Sequence, residues 1–405
     1  MNILKIANYR TIQVILFGFQ QFLPINEPPL ISEERATLKV GSYLKDKRLK
    51  NVLIVTGPSI TKLGLLNDLI QGLDENGISY TIFNNVKSNP SIDNVEEGLT
   101  EYKKNNCDSI IALGGGSPID CAKTIAARVS NKNKSVEQLK GLLKVTHKTP
   151  FLVTVPTTAG SGSEVTVAAV ISNEQTKDKY SITDPKLIPA LAVHDPNLFI
   201  KLPAKVTSTT GMDALTHAIE AYVNRSNTKH TKECALQSIK LIYENLLTAY
   251  NEPENLLARK NMLKASYLAG VAITNAYVGY VHALAHSLGG KFDISHGLAN
   301  AVLLPLVLES YGEKAYKKCA EIVDYLGVAS NLATNKEKTE YLINFIRELN
   351  AKMSIEPKLH IKADDKTINE MVNHAYKEAN PLYPVPKILG KKELKEIYLN
   401  SLAEE

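Results

Sequence analysis

The stretch from Gly279 to Ala299, GYVHALAHSLGGKFDISHGLA, gathers His282, His286 and His296, three of the nine histidines in the chain. His282 and His286 are four residues apart, so on a helix they share one face. His296 follows the pair Gly289-Gly290 and opens an apolar run, ANAVLLPLVL. A helix, a glycine turn and a second helix would aim these imidazoles at one point. Neutral imidazole is the commonest metal ligand near pH 7, so the first reading is a divalent metal. The plainer reading is a set of hydrogen-bonded histidines in a helical core. The run GMDALTH (211–217) adds Asp213 and His217 at i and i+4, one face of another helix. A carboxylate joined to two or three imidazoles suits Fe²⁺, Zn²⁺ or Mn²⁺. Spacing alone leaves open which of His282 and His286 is a ligand.

A second kind of chemistry is written into the first half. The apolar run SIIAL (109–113) leads directly into Gly114-Gly115-Gly116-Ser117-Pro118, followed by a helical stretch through Asp120, Lys123 and Ala127. Glycines at the carboxyl end of a strand let backbone N–H groups approach a pyrophosphate, and the helix start adds a favourable partial charge. The run is neither the G-x-G-x-x-G fingerprint nor the Walker sequence. By itself it also fits an ordinary turn. A second polar turn, Pro156 to Glu164 (PTTAGSGSE), follows the next strand, and its hydroxyls either line the same crevice or form a surface loop.

The elements that must position these groups divide the chain in two. Val52–Thr56, Tyr80–Phe83, Ser109–Leu113 and Phe151–Val155 are short apolar runs separated by helical stretches. That alternation predicts a parallel, Rossmann-like sheet with helices on both faces. From Pro203 onward helical periodicity takes over. We therefore expect an α/β dinucleotide-binding domain over 1–202, with an N-terminal helix over about 3–23, and an all-helical metal domain over 203–405. The N-terminal helix reads as amphipathic, packing on the body or on a partner subunit, with peripheral membrane contact as the lesser reading. Its apolar run, Ile12 to Phe19, is too short to span a bilayer and no small-residue cleavage site follows. Asn380 to Pro386 (NPLYPVP) is a stiff extended segment, a lid or an interface strip.

Composition narrows the classes. Net charge is +5 over 405 residues, and no basic block argues for nucleic acid or an integral membrane segment. Four scattered cysteines without a C-x-x-C pair suit free thiols, and the expected location is the cytoplasm.

Taken together, GGGSPID (114–120), PTTAGSGSEVT (156–166), the run from Asp195-Pro196 to GMDALTHAIE (211–220) and GYVHALAHSLGGKFDISHGLANA (279–301) resemble the iron-containing alcohol dehydrogenase family. The likeness is to its NAD(P)-dependent primary-alcohol and diol dehydrogenase branch. It implies a metal-dependent hydride transfer between NAD(P)(H) and a small primary alcohol or aldehyde. It further implies Asp213, His217, His282 and His296 as ligands to Fe²⁺, with Zn²⁺ as the other candidate, and His286 as the non-ligand histidine that exchanges a proton with substrate. On the cofactor side it implies Gly115, Gly116 and Ser117 at the pyrophosphate, with Asp120 in the following helix. Thr157, Thr158 and Ser161 fall on the adenosine or nicotinamide side, Lys179 at a ribose hydroxyl, and Asn89 at the nucleotide.

The chain departs from the family pattern at Gly57, where many relatives carry the Asp that binds the ribose 2′-hydroxyl. Loss of that carboxylate removes repulsion against a 2′-phosphate, so NADP(H) is expected to be accepted and mildly favoured over NAD(H), with Ser59 near the phosphate. A homodimer follows from the resemblance only. Two other readings are a lyase related to dehydroquinate synthase and a catalytically idle binding or assembly module. The lyase would need a basic pocket for an acidic phosphorylated substrate, and no Lys/Arg cluster surrounds the ligand positions. The sequence does not name the alcohol.

Overall fold

The computed structural model describes residues 2–23, 25–175 and 178–403. The chain opens with helix α1 (Ile3–Gln20), started by the Asn2 side chain accepting from the Leu4 N–H. Strand β1 (Leu30–Ser32), helix α2 (Val40–Asp46) and strand β2 (Asn51–Val55) come next. They are followed by α3 (Pro58–Lys62), α4 (Asn67–Glu75), β3 (Ser79–Phe83), α5 (Ile92–Lys104), β4 (Ser109–Gly114) and α6 (Gly116–Ser130). Strands β5 (Gly141–Leu142), β6 (Phe151–Pro156), β7 (Ala168–Asn173), β8 (Asp178–Thr183) and β9 (Leu191–His194) complete the α/β part.

Six of these strands form one parallel sheet in the order β1-β9-β6-β4-β2-β3. Parallel strands covered on both faces should be apolar throughout, and β4 is buried at every position. On one face Leu53, Val55, Ile110, Ala112 and Leu152 pack with Ile119, Ala122 and Ile125 of α6. Val52, Ile54, Ile111 and Val153 point the other way and are equally buried. The sheet order reverses between β2 and β4, since β3 lies beyond β2 on one side and β4 on the other. Ligands of open α/β sheets bind at the carboxyl ends of strands beside such a reversal. Gly57 and Gly115 lie just past those two strand ends. A small sheet in the order β5-β8-β7, with β7 and β8 antiparallel, was not expected from the sequence.

The second half is helical, with α7 (Ala204–Val223), α8 (Lys229–Asn251), α9 (Leu256–Ala276), α10 (Tyr280–Phe292) and α11 (His296–Tyr311). It ends with α12 (Glu313–Leu326), α13 (Asn335–Lys352), α14 (Asp365–Ala379) and α15 (Lys391–Ser401). Almost every residue of α7 from Thr207 to Val223 is buried, as befits a central helix packed by α8 and α11. Threonines start two outer helices: Thr228 and Thr334 each accept from the backbone three residues on, while the side chain there returns a bond.

Two compact units emerge, and they differ from the expected division at two places. Residues 24–202 group with 253–263, and residues 1–23 group with 203–252 and 264–405. The N-terminal helix thus belongs with the helical unit, and the reason is polar. Arg10 donates to the carbonyls of Val385 and Pro386 at 2.7 and 3.0 Å. Gln13 donates to those of Pro381 and Tyr383 at 2.9 and 2.8 Å, and Gln20 to that of Thr274 at 3.0 Å. The extended segment 380–386 is accordingly a strap gripped by α1. The expected glycine turn also moves: Gly289 and Gly290 lie inside α10, and the chain turns at Asp293, whose φ of 54° ends the helix.

Candidate active site

Three helices of the helical unit bring the metal-type residues together. Helix α7 carries Asp213, His217 and Glu220 on one face, α10 carries His282 and His286, and α11 carries His296 and Asn300. Two glycines allow this closeness. A Cβ on Gly297 would lie 2.1 Å from the Thr209 carbonyl oxygen, so only glycine lets α11 lie this near α7. A Cβ on Gly279 would lie 2.6 Å from Glu220 Oε1, blocking the carboxylate from the start of α10.

The ligand-type atoms of Asp213, His217 and His282 lie within 4.8 Å of one another, all buried. Asp213 Oδ1 is 3.9 Å from His282 Nε2 and 3.6 Å from His296 Nε2. The rings of His217 and His282 stack at 4.5 Å. One amide faces this group: Asn300 Nδ2 donates to Asp213 Oδ1 at 2.7 Å and lies 3.4 and 3.2 Å from Nε2 of His282 and His296. A carboxylate oxygen and two imidazole nitrogens converging on one amide donor is an excess of acceptors. Such a pocket suits a cation.

Behind the imidazoles stands a carboxylate that spacing did not single out. Glu220 Oε2 receives His282 Nδ1 at 2.6 Å and the Gly279 N–H at 2.8 Å, while Oε1 accepts from the Val281 N–H at 2.8 Å. Holding the proton on Nδ1 turns the Nε2 lone pair of His282 towards Asp213, the arrangement a metal ligand needs. Burial pushes the Glu220 carboxyl up to about 7, although the two backbone N–H groups work against it. Burial and the neighbouring imidazoles push His282 and His296 well below the usual histidine range, so both rings are neutral at pH 7. Burial would raise the Asp213 carboxyl as well. The imidazoles of His217, His296 and His282, with the Asn300 amide, outweigh it and hold Asp213 below its ordinary value. One anion, neutral imidazoles and a fixed tautomer fit a divalent iron or zinc.

His286 stacks on His296 with ring centroids 5.1 Å apart, and its Nδ1 meets Glu378 Oε1 at 2.7 Å. Tyr383 donates to the same oxygen at 2.8 Å. Burial raises the Glu378 carboxyl, but the charge and hydrogen bond of His286 and the Tyr383 hydroxyl bring it below the ordinary value. His286 is therefore paired with its own carboxylate, separate from the one that holds His282.

The dinucleotide-type residues gather in the α/β unit. Helix α6 begins at the glycine turn without a side-chain cap, leaving its first N–H groups for a ligand. The second polar turn lies against the first. A Cβ on Gly115 would be 3.1 Å from Thr158 Oγ1, and one on Gly116 3.2 Å from Ser161 Oγ. The Thr157 N–H donates to the Gly114 carbonyl at 2.9 Å, and Ser117 Oγ donates to the Ser88 carbonyl. Lys179 Nζ donates to Asn89 Oδ1 at 2.8 Å, so two residues ninety apart in sequence share one spot. Gly57 starts α3 with φ −102°, ordinary backbone for any residue, and Ser59 is exposed in the first turn.

Asp120 is placed differently from the rest. Its carboxylate accepts from Ser163 Oγ at 3.1 Å and the Val170 N–H at 3.0 Å, fastening α6 to the second turn and to β7. Burial pushes it up to about 6. Beside it, fully buried Lys123 donates to the carbonyls of Thr166 and Ala168 at 2.6 and 3.0 Å. These two residues brace the turns.

Comparison with known proteins agrees with this geometry in both halves of the chain. The profile described as "Iron-containing alcohol dehydrogenase" matches residues 28–196, and "Fe-containing alcohol dehydrogenase family, C-terminal" matches 207–402. "Alcohol dehydrogenase 4" of Saccharomyces cerevisiae (strain YJM789) is 39% identical over 351 residues, 85% of this chain and 90% of the yeast protein. The "NADPH-dependent butanol dehydrogenase" of Clostridium saccharobutylicum is 35% identical over 369 residues, 88% of this chain and 94% of that protein. A crystal structure of 1,3-propanediol oxidoreductase superposes with a TM-score of 0.89 at 34% identity, covering 94% of this chain and all (100%) of the other.

Proposed function

Because the chain belongs to the iron-containing alcohol dehydrogenase family, we propose that it interconverts small primary alcohols and aldehydes with NADP(H) in preference to NAD(H). That it is an alcohol oxidoreductase using a metal and a nicotinamide cofactor follows from the family itself. The lyase and the idle module have no support in these findings. The residue roles, the cofactor preference and the substrate size are our reading.

The observation that carries it is the convergence of Asp213, His217 and His282 with His296 alongside and Glu220 behind. In this reading Asp213, His217, His282 and His296 would hold the ion, with Glu220 orienting His282. The chemistry that iron supplies when bound is Lewis-acid polarisation of the C–O group, and that of the nicotinamide is hydride exchange. His286 takes up or returns the hydroxyl proton through Nε2, because Glu378 engages Nδ1 and sets the tautomer. Glu378 is a positioning residue, and Tyr383 in turn orients Glu378.

On the cofactor side, the uncapped start of α6 at Gly115, Gly116 and Ser117 receives the pyrophosphate. Thr157, Thr158 and Ser161 line the facing turn. Lys179, held by Asn89, reaches a ribose hydroxyl. Gly57 leaves room and no negative charge where a 2′-phosphate would lie, with Ser59 as a hydroxyl donor. A homodimer belongs to the same reading, supported by the family alone.

The test is butanal reduction by protein reconstituted anaerobically with Fe²⁺, with NADPH and NADH in parallel and His282→Ala as control. The expected result is turnover that favours NADPH and is lost, together with bound iron, in the variant. Turnover favouring NADH would discard the Gly57 argument and leave the enzyme. Absence of turnover with both cofactors and with Zn²⁺, across a panel of aldehydes, would sink the reading.

A further inference from the structure

Helix α1 turns Arg10, Gln13 and Gln20 inward among part-buried Ile6, Ile12, Leu16 and Phe17. Its only fully buried side chains are Gln13 and Gln20, and with Arg10 they are spent on backbone carbonyls of the strap and of α9. On the other side five large apolar residues of α1, Ile3, Leu4, Val14, Ile15 and Phe19, and Phe22 just after it, are between 52% and 86% exposed. Leu4, Ile15 and Phe22 follow one side of the helix, with Gly18 between them meeting nothing within 4 Å. Isolated exposed apolar residues need no explanation, but six along one helix and the turn that follows it do.

Charge indicates what covers them. No acidic residue occurs before Glu27. At the N-terminal end of α1, Lys5 Nζ lies 5.3 Å from the Tyr376 ring centroid and Lys391 Nζ lies 5.6 Å from the same centroid. Two ammonium groups thus flank one ring, with exposed Lys392 next in sequence. Among the described residues neither Lys5 nor Lys391 has an acidic partner. Most acids on the neighbouring helices are engaged elsewhere: Glu393 with Lys387 and the Gly390 N–H, Glu378 with His286 and Tyr383, Asp365 with Lys395 and Glu370 with Lys291, while exposed Glu396 lies further along α15. An apolar helix face beside unneutralised cations is the composition of a helix that lies in a membrane interface.

We infer that α1 seats this protein on an anionic lipid surface, its apolar face entering the headgroup boundary and Lys5 and Lys391 meeting lipid phosphates. The contact is peripheral, since no single helix among the described residues is long and apolar enough to cross a bilayer. A lipid surface needs no shape complementarity, which suits a face where Ala7, Asn8 and Thr11 interrupt the large side chains. This inference is independent of substrate and cofactor.

Vesicle flotation of the full-length protein tests it, using phosphatidylcholine alone and phosphatidylcholine mixed with phosphatidylglycerol. Wild type should float with the mixed vesicles about tenfold more than with phosphatidylcholine alone. Ile15→Asp/Phe19→Asp should lose flotation on both while keeping its circular dichroism, melting temperature and aldehyde turnover. Lys5→Ser/Lys391→Ser should lose only the preference for the anionic mixture. Failure of wild type to float, or flotation unchanged in the Ile15→Asp/Phe19→Asp protein, would overturn the inference. So would a lower subunit number for that variant by light scattering without vesicles, because the face would then belong to a second copy of the chain.

Discussion

At the scale of single residues, two carboxylates carry more of the site than sequence spacing could reveal. The choice of Asp213, His217, His282 and His296 as a ligand set came from the family resemblance, while Asp213 with His217, and His282 with His286, were legible as i and i+4 pairs on helix faces. Glu220, Glu378 and Asn300 were not, since a carboxylate or amide on a helix ordinarily faces water. Their partners are 62, 92 and 87 positions away in the chain. Glu378→Gln should lower kcat by about tenfold and Glu378→Ala by about a hundredfold, with KM for the aldehyde and iron content little changed. Equal losses in both variants accompanied by loss of iron would mean that Glu378 only supports the fold. Gly57 makes the opposite kind of prediction. Its backbone suits any residue and a Cβ there would meet only the Val86 carbonyl oxygen at 3.5 Å, so an aspartate fits. Gly57→Asp should shift the ratio of kcat/KM for NADPH to that for NADH by about tenfold towards NADH, through repulsion of the 2′-phosphate. An unchanged ratio would remove Gly57 from the specificity argument.

At the scale of elements, close approach and bracing decide whether these residues meet. Gly297→Ala places a methyl group against the Thr209 carbonyl and must push α11 off α7, taking His296 and Asn300 away from Asp213. We expect a loss of about 1–3 kcal/mol in stability, read from the urea midpoint, with weaker retention of iron on dialysis. The strands at β2, β3, β4 and β6 were legible from their apolar runs. The antiparallel pair β7–β8 was not, because no Gly or Pro marks a turn between its two short strands. The pair matters, since Asp120 bonds to β7. The Asp120 carboxyl is raised in the fold to about 6 from an ordinary value near 3.8, so the folded protein binds the extra proton between those values. Its contribution to stability is therefore fully present below about pH 3.8 and lost as pH rises through 6, by roughly 2–3 kcal/mol. Urea midpoints of Asp120→Asn against wild type should diverge across that window, and the variant should keep its KM for NADPH. A raised KM without a stability change would return Asp120 to the cofactor.

At the scale of the whole molecule, the family profiles match from residue 28 onward, while the fold enlists residues before it. Sequence periodicity announced a helix near the N-terminus but could not say which face is inward; here glutamine and arginine point in because the strap offers them backbone carbonyls. That strap carries Tyr383 and follows directly on Glu378. Removing residues 1–23 should lower the melting temperature by about 5 °C or more and reduce kcat as the Glu378 variants do. A trimmed protein with unchanged melting and turnover would make α1 dispensable to the catalyst. The grip of Arg10 and Gln13 on the strap also bears on how this enzyme can be handled. A purification tag or fusion partner joined ahead of α1 pulls on the residues that seat His286, so activity measured on such a protein reports the tether as well as the enzyme.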